Sequence, residues 1–290
     1  MEILLQTLIN GILIGGVYAA YSAGFSLIFG VMDVINLAHG ELLMLGAFTA
    51  YWLFQIAHID PYLSIPIAGL LLFVIGYFVQ YFLINRVIEK PAIMSYILTF
   101  GLHLIIANTA VKFWTHDFRS ITTSYSGANF EIAGIIIPLT RFTTFILAFV
   151  IIGFLFFLLE KTDLGRAIRA TSQNKRVAAL LGVNVKKIYA LTFAIGAAIT
   201  GIAGASISPF VVLFPEMGLS YTIIAFCVVV LGGMGYIPGA LIGGMVLGIV
   251  QALAVTYLNA GISVAITFML LFIMLVFKPE GITGKGITGA

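Results

Sequence analysis

The chain has 290 residues, of which 61% are hydrophobic and only 9% are charged, and its formal net charge is +3. Because soluble domains carry roughly 25% charged residues, this composition excludes a soluble globular protein and indicates a polytopic membrane protein. We therefore expect membrane lipid to surround the chain and expect no nucleic-acid partner.

Charged residues divide the chain into long uncharged stretches, which cover residues 3–32, 61–85, 91–111, 142–159, 188–215 and 217–277. Each stretch is close to or beyond the ~20 apolar residues that a spanning helix needs. The last stretch has room for three helices, with Gly- and Pro-containing turns at 232–239 and at 259–261. With one more helix after residue 36, the sequence predicts an all-α membrane helix bundle of about nine spanning or partly spanning helices, within a range of eight to ten.

The basic residues predict the orientation of the bundle. Seven of the 14 Lys and Arg residues lie between Lys161 and Lys187, and cytoplasmic loops carry such an excess. We therefore predict that the loop 160–187 is cytoplasmic and that the loop 114–141 and the N-terminus are external. No Lys or Arg precedes the first apolar run, so we interpret it as a span and not as a cleavable signal peptide. Residues 1–290 are predicted to form one transmembrane domain.

Small residues recur four apart in several predicted spans. This spacing lets helix backbones approach closely in lipid, where apolar burial alone does not favour protein over acyl chain. We expect tight packing within one bundle, and a subunit interface is the alternative. The candidate packing residues are Gly11, Gly15, Gly201, Gly239, Gly243, Gly244 and Gly248.

Residues 33–41, DVINLAHGE, place ionisable groups between two apolar runs. We predict a cytoplasmic turn in which Asp33 and Asn36 satisfy backbone donors, after which His39 and Glu41 enter the second span. Ionisable residues at that depth face the bundle interior or a water-filled space. A structural hydrogen-bond network or the lining of a path through the membrane are therefore the two predicted roles for the polar residues Asn10, Tyr18, Asn36, His39, Glu41, Thr99, His103 and Asn108.

The loop 160–187 contains a short amphipathic segment. A helix is predicted to begin near Thr162 and to stop at Gly182, with two arginines on one face and the apolar patch VAALL at 177–181. Such a helix either lies on the membrane surface or docks into a groove of a partner protein.

The sequence lacks four common motifs of nucleotide binding, metal binding, redox chemistry and nucleophilic catalysis. No stretch fits the P-loop pattern GxxxxGK[ST], and HExxH, CxxC and GxSxG are absent as well. His39 and Glu41 are two residues apart, on nearly opposite faces of a helix, so we predict no shared metal site. Cys227 is the single cysteine, and it therefore forms no internal disulfide. We predict that the chain has no catalytic residue, binds no metal or cofactor, and does not hydrolyse ATP itself.

Four ordered blocks carry a family resemblance that extends over almost the whole chain. They are similar to segments of the permease subunits of branched-chain amino acid ABC importers, and within that family to the shorter of the two paired permeases. Tyr236 departs from the family pattern, which usually has a small residue there, and GITG replaces the ending GLFG. The blocks are INLAHGELLMLGAF at 35–48, DLGRAIRATSQNKRVAALLGVNV at 163–185, VVVLGGMGYIPGALIGGMVLGIVQAL at 228–253 and FKPEGITG at 277–284.

The resemblance implies a permease of the bacterial inner membrane with several partners. These are a homologous second permease, two cytosolic ATPases that use ATP and Mg, and an external solute-binding protein. The segment in the cytoplasmic loop would couple the ATPases to the bundle, with its Ala and Leu residues entering a groove and its Arg residues pairing with the rim. The implied coupling residues are Asp163, Gly165, Arg166, Arg169, Ala178, Ala179, Leu180, Leu181 and Gly182.

The sequence is compatible with more than one transported solute. Branched-chain or other neutral amino acids are expected, and urea or a short amide is the alternative. A neutral zwitterion needs weak, multiple contacts, which favours the structural role for His39 and Glu41. A proton-driven secondary transporter with His39, Glu41 or His103 as a relay, and a passive channel, are the competing function classes.

Overall fold

The computed structural model describes residues 2–132 and 134–283, and the residues from 284 onward, including the last one of the block 277–284, lie outside this range. Helices dominate the described chain. They are α1 (Glu2–Met32), α2 (His39–Ala57), α3 (Pro61–Phe82), α4 (Ala92–Trp114), α5 (Leu139–Lys161), α6 (Asp163–Gln173), α7 (Lys175–Leu180), α8 (Val185–Ile207), α9 (Met217–Gly232), α10 (Ile237–Tyr257) and α11 (Ala260–Phe277).

Eight helices in the described residues are long and apolar enough to cross a membrane, and the apolar α9 is shorter, with 16 residues. The all-α membrane bundle and its predicted helix number are thereby confirmed. The chain leaves α9 through Gly233 and Gly235, whose positive φ angles of 108° and 82° favour glycine. A break between α9 and α10 therefore lies inside the predicted turn 232–239.

The two ends of the bundle differ. Between α4 and α5, the strands β1 (Asn129–Ile132) and β2 (Ile135–Pro138) pair antiparallel, with Asn129 opposite Pro138. We call this end of the bundle the strand end. The short helices α6 and α7 follow α5 and lie at the other end, which we call the α6 end.

Helix α8 lies at the centre of the bundle and packs against α1, α2 and α3. Its glycines make these contacts close: Gly196 meets Ile28 of α1, and Gly204 meets the backbone of Leu43 in α2. Gly201 packs against Leu72 of α3. Small side chains are what permit such approach between helices in lipid.

Glycines also bring α1 and α10 together along much of their length. A Cβ on Gly15 would lie 2.7 Å from Cα of Met245, and one on Gly244 would lie 2.7 Å from the carbonyl oxygen of Gly15. One turn away, Gly11 and Gly248 approach each other in the same way. These contacts therefore lie between helices of this chain.

The remaining glycines of the predicted packing set join α9 to α10. A Cβ on Gly239 would collide with the carbonyl of Gly232, and one on Gly243 would collide with the carbonyl of Val228. The short α9 is thus held tightly against the start of α10.

The segment between α1 and α2 runs back into the bundle. His39, the first residue of α2, has its Nε2 3.0 Å from the carbonyl oxygen of Tyr21. Tyr21 stands eleven residues before the end of α1 at Met32, which is about 16 Å along a helix axis. The chain turns after α1 as predicted, and Asn36 accepts a backbone hydrogen bond there. The start of α2 differs from the expectation, because residues 33–38 return without helical structure and α2 begins inside the bundle.

Replacing Gly15 by Ala tests the α1–α10 contact. The added methyl forces the two backbones apart, and we expect the free energy of unfolding to fall by about 1–3 kcal/mol. The matched control is Gly153→Ala on α5, where a Cβ meets nothing within 4 Å, so higher helix propensity leaves stability equal or up to ~1 kcal/mol greater. Equilibrium unfolding of both variants in detergent micelles measures the difference, and equal stability of the two would contradict the packing.

Candidate functional site

Helix α6 is fastened to the end of α5. The Thr162 hydroxyl caps it by accepting a hydrogen bond from the Gly165 amide at 3.0 Å. Gly165 itself packs on the carbonyls of Leu158 and Leu159 and leaves no space for a Cβ. Ile168 is buried in the same interface. Helix α6 therefore packs against the end of α5, which fixes the segment between α5 and α8 to the bundle.

The segment contains two helices where the sequence predicted one. Asn174 ends α6 and starts α7, since its Oδ1 accepts hydrogen bonds from the amides of Arg176 at 3.0 Å and Val177 at 3.1 Å. A side chain that caps the second helix locally competes with continuation of the first. Gly182, at φ 89°, ends the segment as predicted from its conformational freedom.

Both predicted coupling arginines interact with carboxylates of their own chain. Arg166 forms an ion pair with Asp163, three residues earlier on α6. Arg169 lies 3.2 Å from Glu160 and also donates to the carbonyl of Leu159. The predicted pairing of these arginines with the rim of a partner would therefore compete with pairs already made here.

An apolar patch is exposed on α7 and the turn after it. The side chains of Leu180 and Leu181 are 86% and 77% exposed, and Val177 and Ala179 are exposed as well, whereas Ala178 packs inward. A cavity of about 550 Å³ beside this patch is lined by charged residues, among them Glu89, Lys175 and Lys186. Because the patch adjoins charged residues, it lies next to water rather than among acyl chains, and such a patch is typical of a protein interaction surface.

A second set of predicted residues meets inside the bundle. Glu41 of α2 is fully buried, and its Oε1 lies 2.8 Å from Nδ1 of His103 on α4. The carboxylate also packs against Gly218, in the first turn of α9, where a Cβ would collide with it. The positive end of a helix dipole favours a negative charge at this point. The sequence indicated both residues but did not indicate that they pair.

The N-termini of α2 and α9 meet beside this pair. The Gly40 amide donates to the Thr222 hydroxyl at 2.8 Å, and the carbonyl of Gly218 occupies the space that a Cβ on Gly40 would need. His39 points the other way, toward Tyr21 and Thr200, whose Oγ1 lies 3.1 Å from its Nε2. His39 and Glu41 thus face opposite sides of α2, as their spacing predicted.

The other predicted polar residues on α4 and in the connecting segment have local partners. Thr99 donates to the carbonyl of Ser95 at 2.9 Å and lies 3.2 Å from that of Ile35. Asn36 accepts from the amide of Ala38 at 3.1 Å. Asn108 lies on an exposed face and bonds within its own helix. The structure therefore does not bring Asn108 to the pair of Glu41 and His103.

Tyr18 and Asn10 lie in a separate polar cluster toward the strand end. The Tyr18 hydroxyl donates to Gln251 at 2.6 Å, and Gln251 donates to Thr267 at 2.8 Å, which links α1, α10 and α11. Asn10 and Arg141 line a cavity of about 280 Å³ beside them. Gln251 was missed from the sequence, although an amide in the middle of a predicted span was a signal for it.

The described residues contain no group of three or more His, Cys, Asp or Glu side chains that could hold a metal ion. Two features remain as the candidate site: the buried, hydrogen-bonded pair of Glu41 and His103, and the exposed apolar patch on α7.

Comparisons with known proteins identify the family of the chain. The chain is 30% identical to the high-affinity branched-chain amino acid transport system permease protein BraD of Pseudomonas aeruginosa, with 97% of this chain and 96% of the relative covered. LivH of Escherichia coli K12, with the same description, is also 30% identical at the same coverage. The probable branched-chain amino acid transport permease protein LivH of Methanocaldococcus jannaschii is 28% identical over 90% of this chain and 86% of the relative.

No solved structure matches the chain. A family model described as the permease component of the branched-chain amino acid transport system matches residues 7–277. This match covers most of the chain and all of its membrane helices except residues 2–6 at the start of α1. The chain therefore belongs to the family of branched-chain amino acid transport system permease components.

Proposed function

We propose that this chain is the membrane permease subunit of an ATP-driven importer for branched-chain or other neutral amino acids in the bacterial plasma membrane. The observation that carries the proposal is the family match over residues 7–277, together with BraD and LivH as relatives over nearly their whole length. The complex would include a homologous second permease, two ATPases that bind ATP and Mg, and an external solute-binding protein.

The proposed orientation places the α6 end in the cytoplasm and the strand end outside. It is supported by the seven Lys and Arg residues between Lys161 and Lys187, because positive residues concentrate in cytoplasmic loops. In this orientation the apolar patch on α7 faces the side where ATP is available.

The patch of Val177, Leu180 and Leu181 is the proposed docking surface for an ATPase. Burial of two leucines in a groove contributes about 1.5–3 kcal/mol for each side chain. Since Gly165 holds α6 against α5, and α6 and α7 also pack against α8, a displacement of the patch is passed to both helices. The central α8 contacts α1, α2 and α3, so the displacement reaches the core of the bundle.

Urea or a short amide is the alternative solute within the same proposal. The binding protein would select the solute to a large extent before delivery. The permease itself would then need only to let the delivered solute cross the membrane. A proton-driven transporter leaves the exposed patch on α7 without a function, and for this reason we favour the ATP-driven importer.

Transport by the reconstituted complex tests the function directly. We expect ATP-dependent uptake of leucine into liposomes only when the second permease, the ATPases and the binding protein are all present, and we expect no ATP hydrolysis by this chain alone. Uptake by the isolated chain in response to a proton gradient would contradict the importer proposal. Uptake of urea but not of leucine by the complete complex would favour the alternative solute.

A cysteine at Ser172 on α6 tests the orientation. After Cys227 is replaced by Ala, the new thiol should react in intact cells with a membrane-permeant thiol reagent and not with an impermeant one. A cysteine at Glu131, exposed on β1, is the control that should react with both reagents. The reverse labelling pattern would overturn the orientation.

Leu180→Asp tests the docking surface. The substitution places an unpaired carboxylate in the proposed contact, and burying such a charge costs several kcal/mol, so ATPase binding should weaken by about a hundredfold or more. Co-purification of the ATPases and ATP-driven uptake measure the effect.

Leu258→Asp provides the matched control for this change. Leu258 is also an exposed leucine, but it lies between α10 and α11, and we expect it to leave ATPase binding unchanged. If Leu180→Asp retains its ATPases and transports at the wild-type rate, the patch on α7 is not the docking surface.

A further inference from the structure

Two apolar cavities flank helix α4, which packs mainly against α2. The first, of about 580 Å³, is lined by Leu45, Ile106 and Trp114, and we call it the strand-side cavity. The second, of about 440 Å³, is lined by Tyr96, Leu219 and other apolar side chains, and we call it the α6-side cavity. Both volumes lie in the range of about 300–1,000 Å³ that is typical of small-molecule pockets.

The pair of Glu41 and His103 lies between these two cavities. On α4, His103 stands seven residues after Tyr96 and eleven before Trp114, or about 10 Å and 16 Å along the helix axis. On α2, Leu45 follows Glu41 by one turn, and on α9 Leu219 follows Gly218, which touches the carboxylate. A route that follows α4 from one cavity to the other therefore passes the level of this hydrogen-bonded pair.

The carboxylate has bonding capacity that the described chain does not use. Glu41 Oε1 contacts His103, whereas Oε2 is buried and has no hydrogen-bond partner among the described residues. A buried oxygen without a partner costs free energy, and a structural pair alone gives no reason to keep it. An ammonium group offers three donors and is the complementary partner for such an oxygen.

We propose that Glu41 and His103 form the constriction of the translocation path and that the Glu41 carboxylate receives the ammonium group of the passing amino acid. The inference rests on the proposed function and names the residues that the solute contacts. With the solute absent, His103 holds the carboxylate and separates the cavities. An arriving ammonium group competes with His103 for the carboxylate, while the aliphatic side chain of the solute stays in the apolar lining.

The packing of α4 is compatible with opening of this pair during transport. His103 is the single contact between Glu41 and α4 among the described hydrogen bonds, and α4 has an otherwise largely exposed apolar surface. A path for a neutral solute needs contacts that form and break readily. One hydrogen bond on a loosely packed helix meets this need.

Neutralising the carboxylate provides the first test. In the complete complex with its binding protein and ATPases, we expect Glu41→Gln to lower leucine uptake per assembled complex about ten- to hundredfold, the range for a lost charge-assisted hydrogen bond. The control Glu2→Gln removes an exposed carboxylate at the start of α1 and should transport normally. Wild-type uptake by assembled Glu41→Gln would overturn the proposal.

Accessibility of the α6-side cavity provides a second test that does not depend on the solute. In a chain with Cys227→Ala and Leu37→Cys, where Leu37 is a half-buried residue of the same cavity lining, an impermeant thiol reagent added from the strand side should react slowly. Adding His103→Ala removes the constriction and should raise the labelling rate about tenfold or more, because one partner of the closing contact is gone. An unchanged labelling rate would show that the pair does not separate the cavities.

The two tests distinguish failure of this inference from failure of the proposed function. If the wild-type complex takes up no amino acid, the proposed function is wrong, whatever the labelling result. If the wild-type complex transports leucine and both Glu41→Gln and His103→Gln transport it at the same rate, the function stands and the constriction does not. If Glu41→Gln fails to assemble, His103→Gln, which keeps the carboxylate, is the variant that decides.

Discussion

The meeting of two helix N-termini inside the bundle is the constraint on which the rest of the structure depends. Backbone amides at a helix start have no partner within the helix, and lipid offers none. The Thr222 hydroxyl accepts from the Gly40 amide, and the Glu41 carboxylate lies at the start of α9. Because Gly40 and Gly218 lack side chains, the two ends come close enough for these contacts to form. Larger residues at either position would separate α2 from α9.

This arrangement also buries an ionisable side chain, Glu41, inside an otherwise apolar bundle. A buried carboxylate needs compensation, and Glu41 has His103 on one side and a helix dipole on the other. The helix α4 is attached through this pair and leaves cavities on both sides of it. The same contact therefore attaches α4 to α2 and is the constriction in the path that we propose.

The exposed patch on α7 and the buried pair lie on different helices, and α8 connects them. Helices α6 and α7 pack against α8, and α8 packs against α2, which carries Glu41. Close contacts at Gly201 and Gly204 allow little independent movement between these helices. In the importer that we propose, this connection would pass a displacement of the patch to the centre of the bundle.

The sequence by itself determined the class of the protein and the approximate positions of its membrane helices. Long uncharged stretches must become helices in lipid because every backbone group needs a partner, and the glycine breaks at 232–239 end one helix where the sequence indicated. It could not determine that α2 begins beside Tyr21, or that Glu41 pairs with His103 and Tyr18 with Gln251. Hydropathy and spacing describe one helix at a time, and these contacts join residues 18 to 233 positions apart. Only the packing of helices against one another decides which polar groups meet.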